Sequence, residues 1–97
     1  MNSAKNLLDY ARKQGYKVAV TCASEGDVLQ KSTTSWPKIK EAIESTGYVH
    51  MVVRDTINKI SVATALVIDH DDTEEWVSDY GVNAFMDGWE KQVYARN

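Results

Sequence analysis

The residues with the clearest capacity for chemistry form one short run, Asp69-His70-Asp71-Asp72, and a second histidine, His50, lies earlier in the chain. Imidazole nitrogens and carboxylates are the ligands that divalent metals use in proteins. Four adjacent residues cannot all point at one ion, however, and the same run suits a polar loop in which Asp72 caps a helix. We therefore predict no metal and no cofactor. A small metal-dependent hydrolase that uses His50 and His70 is kept as an alternative.

Cys22 is the second candidate for chemistry, since a thiol beside His50 or His70 could act as a nucleophile. The residues before it alternate as in a half-buried strand, and a small thiol at the end of such a strand is more often part of the core. No nucleophile motif surrounds it. The sequence therefore predicts no catalytic residue and a protein that is not an enzyme.

Charge is distributed unevenly along the chain. Residues 1–47 carry seven Lys or Arg and five Asp or Glu, whereas residues 48–97 carry four and nine. From Asp69 to Glu90 there are eight acidic residues and no basic one. Unpaired charges are too costly to bury, so we expect them on the surface. Such a surface repels nucleic acid, whose phosphates need Lys and Arg.

This acidic segment also contains aromatic side chains of the kind that anchor protein interfaces. We predict a partner-binding surface in which carboxylates steer the encounter and aromatic rings supply the desolvated contact. A solvated face that only aids solubility is the alternative. The predicted partner-binding residues are Asp71, Asp72, Glu74, Glu75, Asp79, Trp76, Tyr80 and Trp89.

The seven basic residues of the N-terminal half are spread out and interleaved with acids. We expect them to form a solvated surface, and direct binding of nucleic acid is not favoured.

Length and composition indicate a single domain covering residues 1–97. One cysteine excludes an intramolecular disulfide, and the N-terminus begins with a polar helical pattern instead of the apolar run of a secretory signal. No apolar stretch is long enough to span a membrane. These features predict a cytoplasmic protein that has no contact with membranes.

Hydrophobic periodicity predicts the elements that must position these residues. We expect a helix over residues 3–14 capped by Ser3, strands over 17–22 and 28–33, and a helix that begins at Ser35 and ends at Gly47. A hairpin over residues 48–68 follows, with Asn58 suited to positive φ in its turn. Helices over 73–80 and from Asn83 to about residue 94 complete the chain. The predicted fold is α+β, in the order α-ββ-α-ββ-α, with a four-stranded antiparallel sheet and helices packed on one face.

One face of the second hairpin strand, which we call the plain face, carries only small, uncharged side chains, namely Ala63, Ala65 and Val67. Such a face suits either a closely packed helix or pairing with another chain. A homodimeric structural or interaction module is therefore a second alternative for the function.

The stretch from Ala65 to Ile68, the run Glu74-Glu75-Trp76-Val77-Ser78-Asp79-Tyr80-Gly81, and Trp89 resemble the tails of small accessory proteins of bacteriophages and mobile elements. The resemblance covers the last third of the chain and carries over no functional residue. It implies a host-directed binding protein that acts in the host cytoplasm. We therefore predict a small protein-binding module with an acidic C-terminal surface, of the kind that inhibits a host nucleic-acid-processing or defence complex. Its expected partner is a protein with a basic surface.

Overall fold

The computed structural model describes residues 2–69 and 75–94, and within them the chain forms three helices and five strands. In chain order they are α1 (Ser3–Lys13), β1 (Lys17–Cys22), β2 (Val28–Thr33), α2 (Trp36–Thr46), β3 (Tyr48–Asp55), β4 (Ile60–Ile68), β5 (Val77–Tyr80) and α3 (Ala84–Tyr94).

The five described strands form one antiparallel sheet in the order β2-β1-β3-β4-β5. Val20 of β1 lies opposite Met51 of β3, which in turn lies opposite Ala65 of β4. Side chains alternate between the two faces of a strand, so this register places the buried residues of the three central strands on one face of the sheet.

The helices supply the other half of the core. Their apolar residues recur at helical spacing and are buried in the same cluster as the inward residues of β1, β3 and β4. The buried helical residues are Ala4, Leu7, Leu8, Ala11, Ile39, Ala42, Ile43, Met86 and Trp89. The predicted α+β class, with helices packed on one face of an antiparallel sheet, is confirmed.

The sheet has one strand more than predicted, because the described part of the expected helix over residues 73–80 contains β5 instead. The backbone explains the difference. The N–H of Ile68 donates to the carbonyl of Trp76 at 2.8 Å, and the N–H of Val77 donates to the Ser3 hydroxyl at 2.9 Å. The carbonyl of Trp76 and the N–H of Val77 therefore bond to residues distant in the chain, whereas in a helix they would bond to residues four positions away.

The start of α1 also differs from the prediction. Asn2 is the N-cap, and its side-chain oxygen accepts from the N–H groups of Ala4 at 2.9 Å and Lys5 at 3.4 Å. Ser3 was the predicted cap, but its hydroxyl is buried and instead accepts from Val77 of β5.

In the hairpin turn, the residue with positive φ is Lys59, at +57°, and not Asn58 as predicted. Asn58 holds the turn in another way, because both its backbone N–H and its side-chain amide donate to the carboxylate of Asp55. This Asx-type arrangement leaves the left-handed position to the next residue.

The plain face of β4 points into the core, with Ala63, Ala65 and Val67 at most 6% exposed. Of the two options that the sequence left open, the closely packed helix is the one observed, since α3 contacts β4. β4 also lies inside the sheet, between β3 and β5. The surface on which the homodimer alternative was based is therefore not exposed.

Candidate partner-binding surface

The predicted partner-binding residues separate into surface and core positions. Glu75, two residues before β5, and Asp79, within it, are exposed. Asp71, Asp72 and Glu74 lie outside the described residues, as does His70.

The two tryptophans of the predicted set lie in the core. Trp76 is 7% exposed, and its ring centroid is 6.3 Å from that of Trp36 on α2. Trp89 is fully buried, and its indole N–H donates to the side-chain oxygen of Asn6 on α1 at 3.1 Å. Both rings hold the sheet and helices together, so the surface that remains for a partner is more polar than the sequence suggested.

Tyr80 connects the surface to this core. Its ring meets that of Trp89 edge-on, at a centroid distance of 5.4 Å, which is a favourable geometry for aromatic pairs. Its hydroxyl donates to the carboxylate of Glu90 on α3 at 2.5 Å. The residue is half-buried and fixes β5 relative to α3.

Exposed carboxylates flank β5 on both sides of the sheet, and we call them the acidic edge. Asp79 shares a sheet face with Leu66, whereas Asp87 and Glu90 lie on α3 on the helical side. Asp87 lies in the first turn of α3, where the helix dipole favours negative charge. The members of the acidic edge are Glu75, Asp79, Asp87 and Glu90, all exposed.

The sequence did not indicate a second surface, the face of the sheet opposite the helices. In the described part of the chain no helix covers it. Antiparallel sheets with one solvated face usually carry polar residues there. Here the central positions are mostly apolar or small and neutral. We call this the uncovered face, and its central residues are Ala19, Thr21, His50, Val52, Thr64 and Leu66.

A shallow groove of about 330 Å³ lies on the uncovered face, over β2, β1 and β3. Its exposed lining is mostly apolar, and two basic side chains, Lys31 and Arg54, contribute to it. Lys17 lies directly opposite Arg54 on the neighbouring strand. Like charges opposite each other on a sheet repel. The described cross-strand partners of Lys17 and Arg54 are each other and Ser61, so none of them is acidic and this corner carries two positive charges.

A second groove, of about 270 Å³, lies across β3, β4 and β5 on the same face. Its lining includes His50, Thr64, Leu66 and Asp79. The uncovered face is therefore positive at one corner and negative at the other.

The geometry does not form the catalytic pair that Cys22 and His50 would need. Thr21 pairs with His50 on the uncovered face, so the next residue, Cys22, points to the opposite face and is buried. Hydrogen bonds from the Ser24 hydroxyl, and then from the backbone N–H groups of Glu25 and Ser24, lower the pKa of the Cys22 thiol. Across residues 2–69 and 75–94, no three His, Cys, Asp or Glu side chains are grouped so that they could hold a metal ion.

None of the helices in the described residues is long and apolar enough to cross a membrane. No family model matches the chain, and neither a curated protein nor a solved structure shows a match to it.

Proposed function

We infer that this protein is a binding module whose acidic edge docks on a protein with a basic surface. The observation that carries this proposal is the exposure of Glu75, Asp79, Asp87 and Glu90 around a short strand. The sequence from Asp69 to Glu90 contains no Lys or Arg, and the first basic residue after this segment is Lys91 on α3.

The acidic edge is suited to electrostatic recognition. Its carboxylates project from β5 and from α3, and the contact between Tyr80 and Trp89 holds these two elements together. Fixed charges of one sign attract an opposite surface over about 8–10 Å at physiological salt. They speed the encounter and select its orientation.

The partner class follows from this chemistry. A protein surface built for nucleic acid is rich in Lys and Arg, and an acidic edge competes for the same side chains that phosphates occupy. The proposed role is therefore inhibition of a nucleic-acid-processing or defence complex by occupation of its basic surface.

The test compares capture of partners by the wild-type protein and by two charge-reversed variants. Glu75→Lys/Asp79→Lys reverses the acidic edge. Glu25→Lys/Asp27→Lys reverses two exposed acids in the turn between β1 and β2 and serves as the matched control. We expect one partner that the wild type and the control retain and that the acidic-edge variant loses.

The captured partner is then titrated with the purified variants by calorimetry. We expect the acidic-edge variant to bind at least about tenfold more weakly, with the difference shrinking in high salt. Equal affinity of the acidic-edge variant and the control would overturn the proposal.

A further inference from the structure

The uncovered face has a charge pattern that is complementary to itself. Lys17 and Arg54 mark the corner where β1 begins and β3 ends. Asp79 lies on the edge strand at the other side of the sheet, opposite Leu66 and near the far end of β4. Positive and negative charge therefore lie at opposite ends of one diagonal of the face.

We propose that the uncovered face binds a second copy of this chain, sheet against sheet, around a twofold axis. The axis lies between the two faces, perpendicular to the diagonal. It brings the basic corner of each copy, Lys17 and Arg54, towards Asp79 of the other, and Lys31 lines the same groove as Arg54. A twofold contact uses the same patch on both copies, which is the commonest symmetry of protein dimers.

The centre of the face suits such a contact. Ala19 lies opposite Val52, and Val52 lies opposite Thr64, so the middle of the three central strands presents small or apolar side chains outward. Leu66 adds a larger apolar side chain beside them. An apolar centre bounded by charges is the usual arrangement of a protein interface.

The edges of the sheet are less suited to pairing than its face. The N–H of Val77 on β5 is already used by Ser3. β2, at the other edge, has register irregularities against β1 and carries the exposed Lys31. Bulges and lysines are features that keep edge strands from joining other chains.

The size of the face limits how much surface a dimer can bury. Strands about 4.8 Å apart, with about 3.4 Å per residue, give a flat area of about 400 Å² per copy for five strands of about six residues. Two such faces together give about 800 Å², which is smaller than the roughly 1,200–2,000 Å² that stable complexes bury. We therefore expect weak, reversible association, and the measurement extends to about 1 mM protein, where a dimer with a dissociation constant of about 1 mM is still detected.

The first experiment is sedimentation of the purified full chain at rising concentration and low salt. We expect a monomer of 10.9 kDa at low concentration that shifts towards twice that mass, and less so in high salt. A chain that stays monomeric up to about 1 mM overturns the proposal. No foreign partner is used, so this outcome leaves the proposed function of the acidic edge unaffected.

The decisive experiment mixes two variants that each repel themselves. Asp79→Lys makes both corners basic, and Lys17→Glu/Arg54→Glu makes the basic corner mainly acidic. Each alone should associate at least about tenfold more weakly than the wild type, whereas an equal mixture should form a heterodimer. Association of the single variants at wild-type strength, or no association in the mixture when the wild type dimerises, contradicts the proposed geometry.

Two variants with the same charge changes elsewhere are the controls. Glu25→Lys matches Asp79→Lys, and Lys38→Glu/Lys40→Glu on α2 matches the double reversal. All three control positions are exposed, and none of them lies on a strand of the sheet. Both controls should dimerise like the wild type. Circular dichroism of every variant confirms that each is folded before association is compared.

Discussion

Gly88 has no side chain where α3 passes Tyr10 of α1. A Cβ at this position would overlap the Tyr10 hydroxyl and come within 3.3 Å of the ring carbon that bears it. The ring of Tyr10 also packs against Phe85, at a centroid distance of 5.1 Å, so it cannot move without losing that contact. Glycine in the middle of a helix normally costs about 1 kcal/mol relative to alanine, and here the close approach explains its presence.

We predict that Gly88→Ala lowers the free energy of unfolding by about 1 kcal/mol, because overpacking outweighs the gain in helix propensity. In a Tyr10→Phe background the hydroxyl is absent, and the same substitution should be neutral or stabilising. Urea denaturation of the four proteins in this double-mutant cycle measures the coupling. Identical effects of Gly88→Ala in both backgrounds would refute this explanation.

The turn between β3 and β4 contains a carboxylate that is stabilised in its charged form. The side-chain amide of Asn58, and then its backbone N–H, lower the pKa of Asp55, with a smaller contribution from the N–H of Ile57. The Asp55 carboxylate therefore binds a proton less tightly in the folded state than in the unfolded chain. Stability from this group is present above the unfolded pKa and is lost as the pH falls through the folded pKa.

Asn58→Ala should therefore raise the pKa of Asp55 towards its ordinary value, since the largest contribution to its lowering is removed. NMR titration of the Asp55 carboxyl carbon measures this directly. Asn6→Ala, on α1, is a control that should leave the Asp55 titration unchanged. An unchanged Asp55 pKa in Asn58→Ala would show that the turn backbone alone sets it.

At the scale of elements, β5 depends on a residue far away in the chain. Ser3 supplies the acceptor for the outward N–H of Val77, and the Ser3 side chain is buried. We predict that Ser3→Ala destabilises the protein by about 1–2 kcal/mol, because a partly buried N–H loses its partner. Hydrogen exchange at Val77 should quicken by more than the change in global stability accounts for.

Asn2→Ala is the matched control for this experiment. It removes the cap of α1, at a cost of about 1 kcal/mol, without touching the acceptor for Val77. The two variants should therefore have similar stability but different exchange at Val77. Equal exchange in both would mean that Ser3 acts only through α1.

Most elements were predictable because their periodicity was local. The stripe Leu7, Leu8 and Ala11 and the alternation along β3 were enough to assign α1 and the central strands. β5 was not predictable in this way, because Trp76, Val77 and Tyr80 also fit one face of a helix. Its strand conformation depends on partners in β4 and α1, which no local pattern contains.

At the scale of the whole molecule, the acidic surface was predictable in part and the uncovered face was not. Charge cannot be buried unpaired, so exposure of Glu75 and Asp79 followed from residue type. The burial of Trp89 could not be predicted from its residue type, since a tryptophan suits a core and an interface equally well. On β4, both faces are free of charge, so alternation alone could not say that Ala65 faces the core and Leu66 faces outward.

The whole fold also determines where the charges meet. In the sequence, the positive excess belongs to the first half and the negative excess to the second. The sheet brings Lys17 and Arg54, which come from different halves, side by side, and it places Asp79 on the same face. A count of charge along the chain therefore does not describe the field that a partner meets.

The bonds that join the first helix to the last residues have a consequence for synthesis. The partner of Ser3 is Val77, 74 positions later in the chain, and the partner of Asn6 is Trp89, 83 positions later. Contacts this distant in sequence slow folding, because a long loop must close before they form. Until Val77 and Trp89 have been synthesised, α1 has neither of these partners. These contacts of α1 form only after Trp89 has left the ribosome, so the shared core of α1 and α3 cannot be completed before α3 has been synthesised.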